Sequence, residues 1–204
     1  MSARADVLSR VRAAIAGGGD GAGQPIPRDY RTRTDDGVET FVDRLRDYGA
    51  GTRRVRAAEL DDAVRAALKA QGARRVVGPE GLPEAWFSDV EPLADDPPLD
   101  AHTLDGADGV ITTCAVAIAQ TGTIVLDGSS GMGRRALTLV PDYHLCVVAE
   151  TRIASSVPEA LARLEPTRPL TFVSGPSATV DIEMVRVQGV HGPRRLEVLI
   201  VEER

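Results

Sequence analysis

Apolar residues along this chain recur with two different periods, and the switches between them divide it into elements. Val7, Val11, Ala14 and Ile15 fall on one helical face and predict a first helix. It runs into GGGDGAGQPIP (17–27), a Gly/Pro-rich linker with neither period. A helix tethered in this way either docks on its own domain or is offered to a partner. The body is expected from Asp35 onward. Val38, Phe41, Val42, Leu45 and Tyr48 form a clear helical stripe closed by Gly49. After the strand-like TRRVRA, Leu60, Ala63, Val64, Ala67 and Leu68 predict another amphipathic helix ending before Gly72. RRVVG (74–78) then reads as a short strand, and Trp86–Phe87 as a local anchor in an acid- and proline-rich stretch.

From Gly109 the helical period gives way to β-branched runs. GVITTCAVAIA and TGTIVLDG are separated by Gln120–Thr121–Gly122, which predicts a tight turn between strands. HLCVVAE, LTFVSG and RRLEVLIV read as further buried strands. Ser156 and Glu159 have capping-box spacing ahead of a helix with Val157, Ala160, Leu161 and Leu164 on its apolar face. Strands interleaved with helices predict an α/β fold, a mostly parallel sheet flanked by helices, with some antiparallel part. The division expected is 1–34, N-terminal helix and linker, and 35–204, one α/β domain.

Composition narrows the function more than the fold. The 204 residues are 43% hydrophobic but only 3% aromatic, so the core must be aliphatic. A net charge of −6 argues against nucleic acid or an anionic membrane as partner. No apolar run is long enough for a membrane span, and the charged N-terminus lacks a signal-peptide pattern, so a cytoplasmic setting is expected. Cys114 and Cys146 are the two cysteines, too few for the four thiolates of an iron–sulfur cluster. His102, His144 and His191 are scattered, and no metal site is expected. Lys69, the single lysine, falls on the surface phase of its helix, which discounts a Schiff base or a Walker loop.

Three stretches could carry chemistry. FVSGPSATVDIE reads as a strand entering a Ser-Gly-Pro-Ser turn and then a short helical segment. At the carboxyl end of a parallel strand, such a turn would offer Gly175 for close backbone approach and the hydroxyls of Ser177 and Thr179. A helix N-terminus there would favour an anion. Asp181 and Glu183 could cap that helix, contact ligand hydroxyls or hold a cation; a merely well-capped turn is the plain alternative. GVHGPRR sets His191 between glycines, suited either to acid–base work or to bonding a turn carbonyl. DGSSGMGRR is a Gly/Ser loop ending in Arg134 and Arg135, a candidate cradle for phosphate or carboxylate if it faces the SGPS turn.

Taken together and in order, AIAQTGTIVL, LVPDYHLCVV, SGPSATVDIE and GVHGPRRLEVLIV resemble the LUD-domain family, in particular its lactate-utilisation protein C group. The resemblance covers 109–201. It implies a fold related to ribose-phosphate isomerases and coenzyme A transferases. It also implies a role in oxidising L-lactate to pyruvate beside iron–sulfur partner subunits, this chain being a member with no cofactor of its own. By motif, the family pocket would be lined by Thr121, Gly122, Thr123, Ser174, Gly175, Pro176, Ser177, Thr179, Asp181, Glu183 and His191; the resemblance assigns no catalytic role, and Asp181, Glu183 and His191 are the catalytic candidates by residue type. A free-standing isomerase or coenzyme A transferase-like enzyme, and a ligand-sensing scaffold, are the alternatives.

Overall fold

The computed structural model describes residues 3–17, 26–180, 186–188 and 192–202. Two compact units are present, Met1–Arg31 and Thr32–Arg204. The first contains helix α1 (Ala3–Gly17), whose Val7, Leu8, Val11 and Ile15 are exposed.

The second unit is built on a six-stranded sheet with every pairing parallel. Its strands are β1 (Gly51–Arg56), β2 (Arg75–Gly78), β3 (Glu91–Ala94), β4 (Gly109–Thr112), β7 (Tyr143–Ala149) and β12 (Arg195–Glu202), in the order β1-β12-β7-β4-β2-β3. Layered on it is a four-stranded sheet, β8-β5-β6-β9, formed by β5 (Val116–Ile118), β6 (Thr123–Leu126), β8 (Ile153–Ala154) and β9 (Thr171–Val173). Here β5–β6 and β6–β9 are antiparallel.

Alternation along the strands explains the layers. Leu196, Val198 and Ile200 of β12 face one side of the main sheet, packing with Cys146 and Val148 against α2 (Val38–Asp47) and the smaller sheet. Leu199 and Val201 face the other side, where α3 (Leu60–Gln71) lays Val64, Ala67 and Leu68 on Val76, Leu145 and Val147. Strands buried on both faces read as near-continuous apolar runs, which is why LCVVA is apolar and the His144 that precedes it is buried as well. The outer face of the smaller sheet is closed by α5 (Val157–Ala162), with Ala160 against Val116, Ile118 and Val125. Leu161 was expected on that apolar face, but it is 49% exposed.

The α5 cap does more than start a helix. Ser156 Oγ accepts the Glu159 N–H at 3.3 Å, while the Glu159 carboxylate accepts the N–H and hydroxyl of Ser155 at 2.9 and 2.7 Å. Ser156 also donates to the Thr32 carbonyl at 2.6 Å, so the cap pins the start of the unit. The Ser155 donors and Arg163 pull the Glu159 pKa down to about 2. Its contribution is present above the ordinary glutamate value and fades as pH falls from 4.5 toward 2. Glu159→Gln is expected to lower the urea midpoint at pH 7 by the equivalent of roughly 1–2 kcal/mol, and by progressively less on acidification.

Three elements depart from the sequence expectation. GVITTCAVAIA is split between two sheets, because Thr113 N–H bonds Gly131 and Ala115 N–H bonds Val125. The acid-rich stretch contains β3, and α4 (Ala101–Asp105) follows, capped by Asp100. The segment after Ser-Gly-Pro-Ser is not helical: β10 (Ala178–Val180) pairs antiparallel with β11 (Arg186–Gln188). Alternate β-branched Thr179 and Val187 at paired positions suit a ribbon better than a helical turn.

Candidate functional site

The β5–β6 hairpin and the end of β9 bring three hydroxyls into one chain. Because Ile124 is in register with Val173, the residues just outside that pair, Thr123 and Ser174, are neighbours. Thr121 Oγ1 lies 2.7 Å from Thr123 Oγ1, which lies 2.7 Å from Ser174 Oγ. Thr123 at the centre is buried, Thr121 half-buried and Ser174 exposed, so the chain reaches the surface at Ser174. Thr123 has one proton, so it donates to at most one of these neighbours and accepts from the other. A ligand oxygen at the exposed end could extend that chain in either direction.

Helix α2 closes this cluster from the side. A Cβ on Gly122, where φ is +61°, would meet Arg44 Cβ at 2.6 Å and Arg44 C at 3.0 Å. One on Gly175 would meet Tyr48 Cβ at 2.5 Å. Both glycines thus allow backbone to approach a helix of the same chain. The participation of Arg44 and Tyr48 was not legible, because the contact spans residues remote in sequence. Ser177 N–H donates to the Pro193 carbonyl at 2.8 Å, which ties SGPS to the GPRR loop. Thr179 lies on β10, but its side chain, like residues Asp181, Glu183 and His191, lies outside the described residues.

The cluster was expected at the carboxyl edge of the main sheet, with a helix N-terminus facing an anion. Instead, Gly175 packs on Tyr48, just before β1 begins, and Ser177 bonds Pro193, just before β12 begins. The turn therefore sits by the amino ends of parallel strands. The reason is that β9 belongs to the antiparallel sheet, so its end is not a carboxyl end of the parallel one, and a ribbon follows it.

The carboxyl edge is covered by the Gly/Ser loop. Gly131 N–H donates to the Glu80 carbonyl beyond β2, and Gly131 O accepts from Thr113 beyond β4, at 2.7 and 2.8 Å. The chain reverses its direction across the sheet here, with β3 outside β2 and β4 inside it, the position where open α/β sheets leave a crevice. A cavity of 470 Å³ lies there, lined by Gly78, Glu80, Asp95, Asp96 and Leu137 among others. Arg134 is held at its margin: it makes a forked pair with Asp95 at 2.7 and 2.9 Å and donates to the Leu99 carbonyl at 2.5 Å. The guanidinium of Arg134 keeps the Asp95 carboxyl below its usual value despite partial burial. Arg134→Ala is expected to cost roughly 1–3 kcal/mol at pH 7. The difference should shrink as pH falls below 3.8, where Asp95 protonates in the unfolded chain, and thermal melts across pH would show it.

Arg135 and Arg134 do not join the hydroxyl cluster. Arg135 borders the Leu126–Thr171 end of the β6–β9 pair, whereas Thr123 and Ser174 mark its other end, about 10 Å away at strand spacing. Arg168 and Thr171 share the concavity with Arg135, and nothing in their local sequence pattern signalled it.

The remaining candidates are structural. His144 is fully buried, its Nε2 2.7 Å from Thr112 Oγ1, and burial lowers its pKa to about 4. Cys114 and Cys146 are buried and free, and a hydrogen bond with Cys146, together with burial, pushes the Cys114 thiol well up. Among the described residues, no group of three or more His, Cys, Asp or Glu is placed to hold a metal ion, and no helix is long and apolar enough to cross a membrane.

Comparison with known proteins places this geometry in a family. The LUD domain model matches residues 101–201, β4 to β12 and the helix before them. Lactate utilization protein C of Deinococcus radiodurans is 47% identical over 204 residues, covering 98% of this chain and 95% of that one. The chain belongs to the LUD-domain family. Another family member, lactate utilization protein C of Shouchella clausii, is 32% identical over 105 residues, 48% of this chain and 45% of its own. The crystal structure of a DUF162 family protein from Deinococcus radiodurans superposes with a TM-score of 0.68 at 45% identity, covering 80% of this chain and 95% of that one. The LUD-domain assignment and the α/β fold expected from the sequence are thereby established together.

Proposed function

We propose that this LUD-domain protein serves lactate utilisation as the subunit with no iron–sulfur cluster of its own, beside iron–sulfur partners in the cytoplasm. The observation that carries the reading is its 47% identity to a lactate utilization protein C along 98% of the chain. Conversion of L-lactate to pyruvate removes two electrons and two protons. With only two cysteines, both buried, this chain has too few thiolates for a four-cysteine cluster. In this reading the partners' clusters carry the electrons, and this chain handles the substrate or assembles the partners.

Thr121, Thr123 and Ser174 are the groups best suited to meet a hydroxy acid. The chain of hydroxyls can donate to a carboxylate or accept from an alcohol, and it carries no fixed charge that would select only one of them. The test is lactate-dependent dye reduction by the purified iron–sulfur partners, with and without this chain. Activity that depends on adding the chain is the expected result. Failure to bind those partners or change their rate would overturn the proposal. Thr123→Val breaks the hydroxyl chain at its centre and is expected to cut the lactate-dependent rate roughly tenfold or more, the loss of about one to two buried hydrogen bonds. An unchanged rate would confine the cluster to a structural role.

A further inference from the structure

We propose that the cavity between the end of β6, the Arg135–Thr138 turn and the start of β9 binds a small oxyanion, phosphate or carboxylate, through the guanidinium groups of Arg135 and Arg168. The cavity measures 370 Å³, within the range of small-molecule sites. Arg134, Arg135, Arg168, Asp127, Thr138 and Thr171 supply its polar lining.

Charge bookkeeping favours an anion. Arg134 is neutralised by Asp95 at 2.7 Å. The Asp127 carboxylate already accepts the Ser129 N–H and hydroxyl at 3.0 and 2.6 Å, and Arg168 stands 3.6 Å from its other oxygen, too far for a hydrogen bond. Arg135 has no ion pair or side-chain hydrogen bond among the described residues. Arg134 thus has Asp95 beside it and Arg168 has Asp127 and Glu165, whereas Arg135 faces the concavity with no carboxylate partner among the described residues, in a protein whose net charge is −6. Guanidinium groups match the oxygens of phosphate and carboxylate in a forked geometry that a single lysine cannot reproduce. The loop before Arg135 is already locked by Asp127 and by Gly131, so Arg135 is presented on fixed backbone.

This site is distinct from the hydroxyl cluster and does not depend on the lactate reading. Titrations of the full chain with inorganic phosphate, and separately with acetate, at constant ionic strength against a chloride control, are the test. Saturable binding of either anion is expected, and the arm that responds identifies the chemistry. Arg135→Gln and Arg168→Gln should each weaken it roughly tenfold, the loss of a charge-assisted contact. No binding above the chloride control, or binding indifferent to both arginine substitutions, would overturn the proposal. Two separate substitutions guard against one variant that fails to fold, although both side chains are largely exposed.

Discussion

Replacing Gly122 by alanine is expected to lower the unfolding free energy by about 3 kcal/mol, part left-handed backbone strain and part overpacking. The left-handed φ of +61° alone accounts for the smaller share. The larger share is the new methyl group, which would lie 2.6 Å from Arg44 Cβ, 3.0 Å from Arg44 C and 3.1 Å from Leu45 N. None of these is the free end of a flexible side chain, so α2 or the hairpin has to move. Gly49→Ala is the control, since its φ is +83° but nothing lies within 4 Å of the added carbon. Urea unfolding should therefore show a loss of only about 1 kcal/mol for Gly49→Ala. Equal losses at the two sites would mean that helix approach does not constrain this turn. Because Thr121 and Thr123 flank Gly122, the same substitution should disturb the hydroxyl chain.

The second large effect is acid sensitivity centred on His144. Burial lowers its pKa from 6.5 to about 4, so at neutral pH it is uncharged in both folded and unfolded chains. Below pH 6.5 the unfolded chain takes up a proton that the folded chain refuses. Stability is thus fully retained above 6.5 and lost as pH falls toward 4. The complete loss amounts to about 3 kcal/mol, of which about 2 should be gone by pH 5. Glu159 and Asp95 have lowered pKa values, and their losses come at more acidic pH than the window from 6.5 to 5. His144→Gln keeps a hydrogen-bonding group near Thr112 and removes the titration. Urea midpoints of this variant should be flat across that window while the parent chain declines. A parallel decline in both would refute the assignment.

The elements that local pattern specifies are those the sequence made legible. The stripe from Val38 to Leu45, the stripe from Leu60 to Leu68 and the Ser156 cap each became a helix near the expected place. The apolar run around Cys146 became the doubly buried β7. The four ordered motifs pointed to the LUD-domain family, and it was that resemblance which named Thr121, Thr123 and Ser174, whereas the turn pattern itself offered the hydroxyls of Ser177 and Thr179. Periodicity and turn chemistry act within a few residues, so they are readable without knowing what lies opposite.

Tertiary structure alone decided which edge of the sheet each turn would occupy. SGPS follows a strand, but only the pairing of β9 with β6 rather than with the parallel sheet puts it near β1 and β12 at their amino ends. Arg134 and Arg135 are adjacent in sequence, yet one is clamped by Asp95 and the other faces a cavity with Arg168, partners no local pattern encodes. Gly122 reads as a turn residue and proves to be a contact for α2. Each of these depends on strand pairing and packing between remote segments. A side chain's residue type fixes its chemistry, while the elements brought against it decide whether that chemistry is free for a ligand or taken up within the fold.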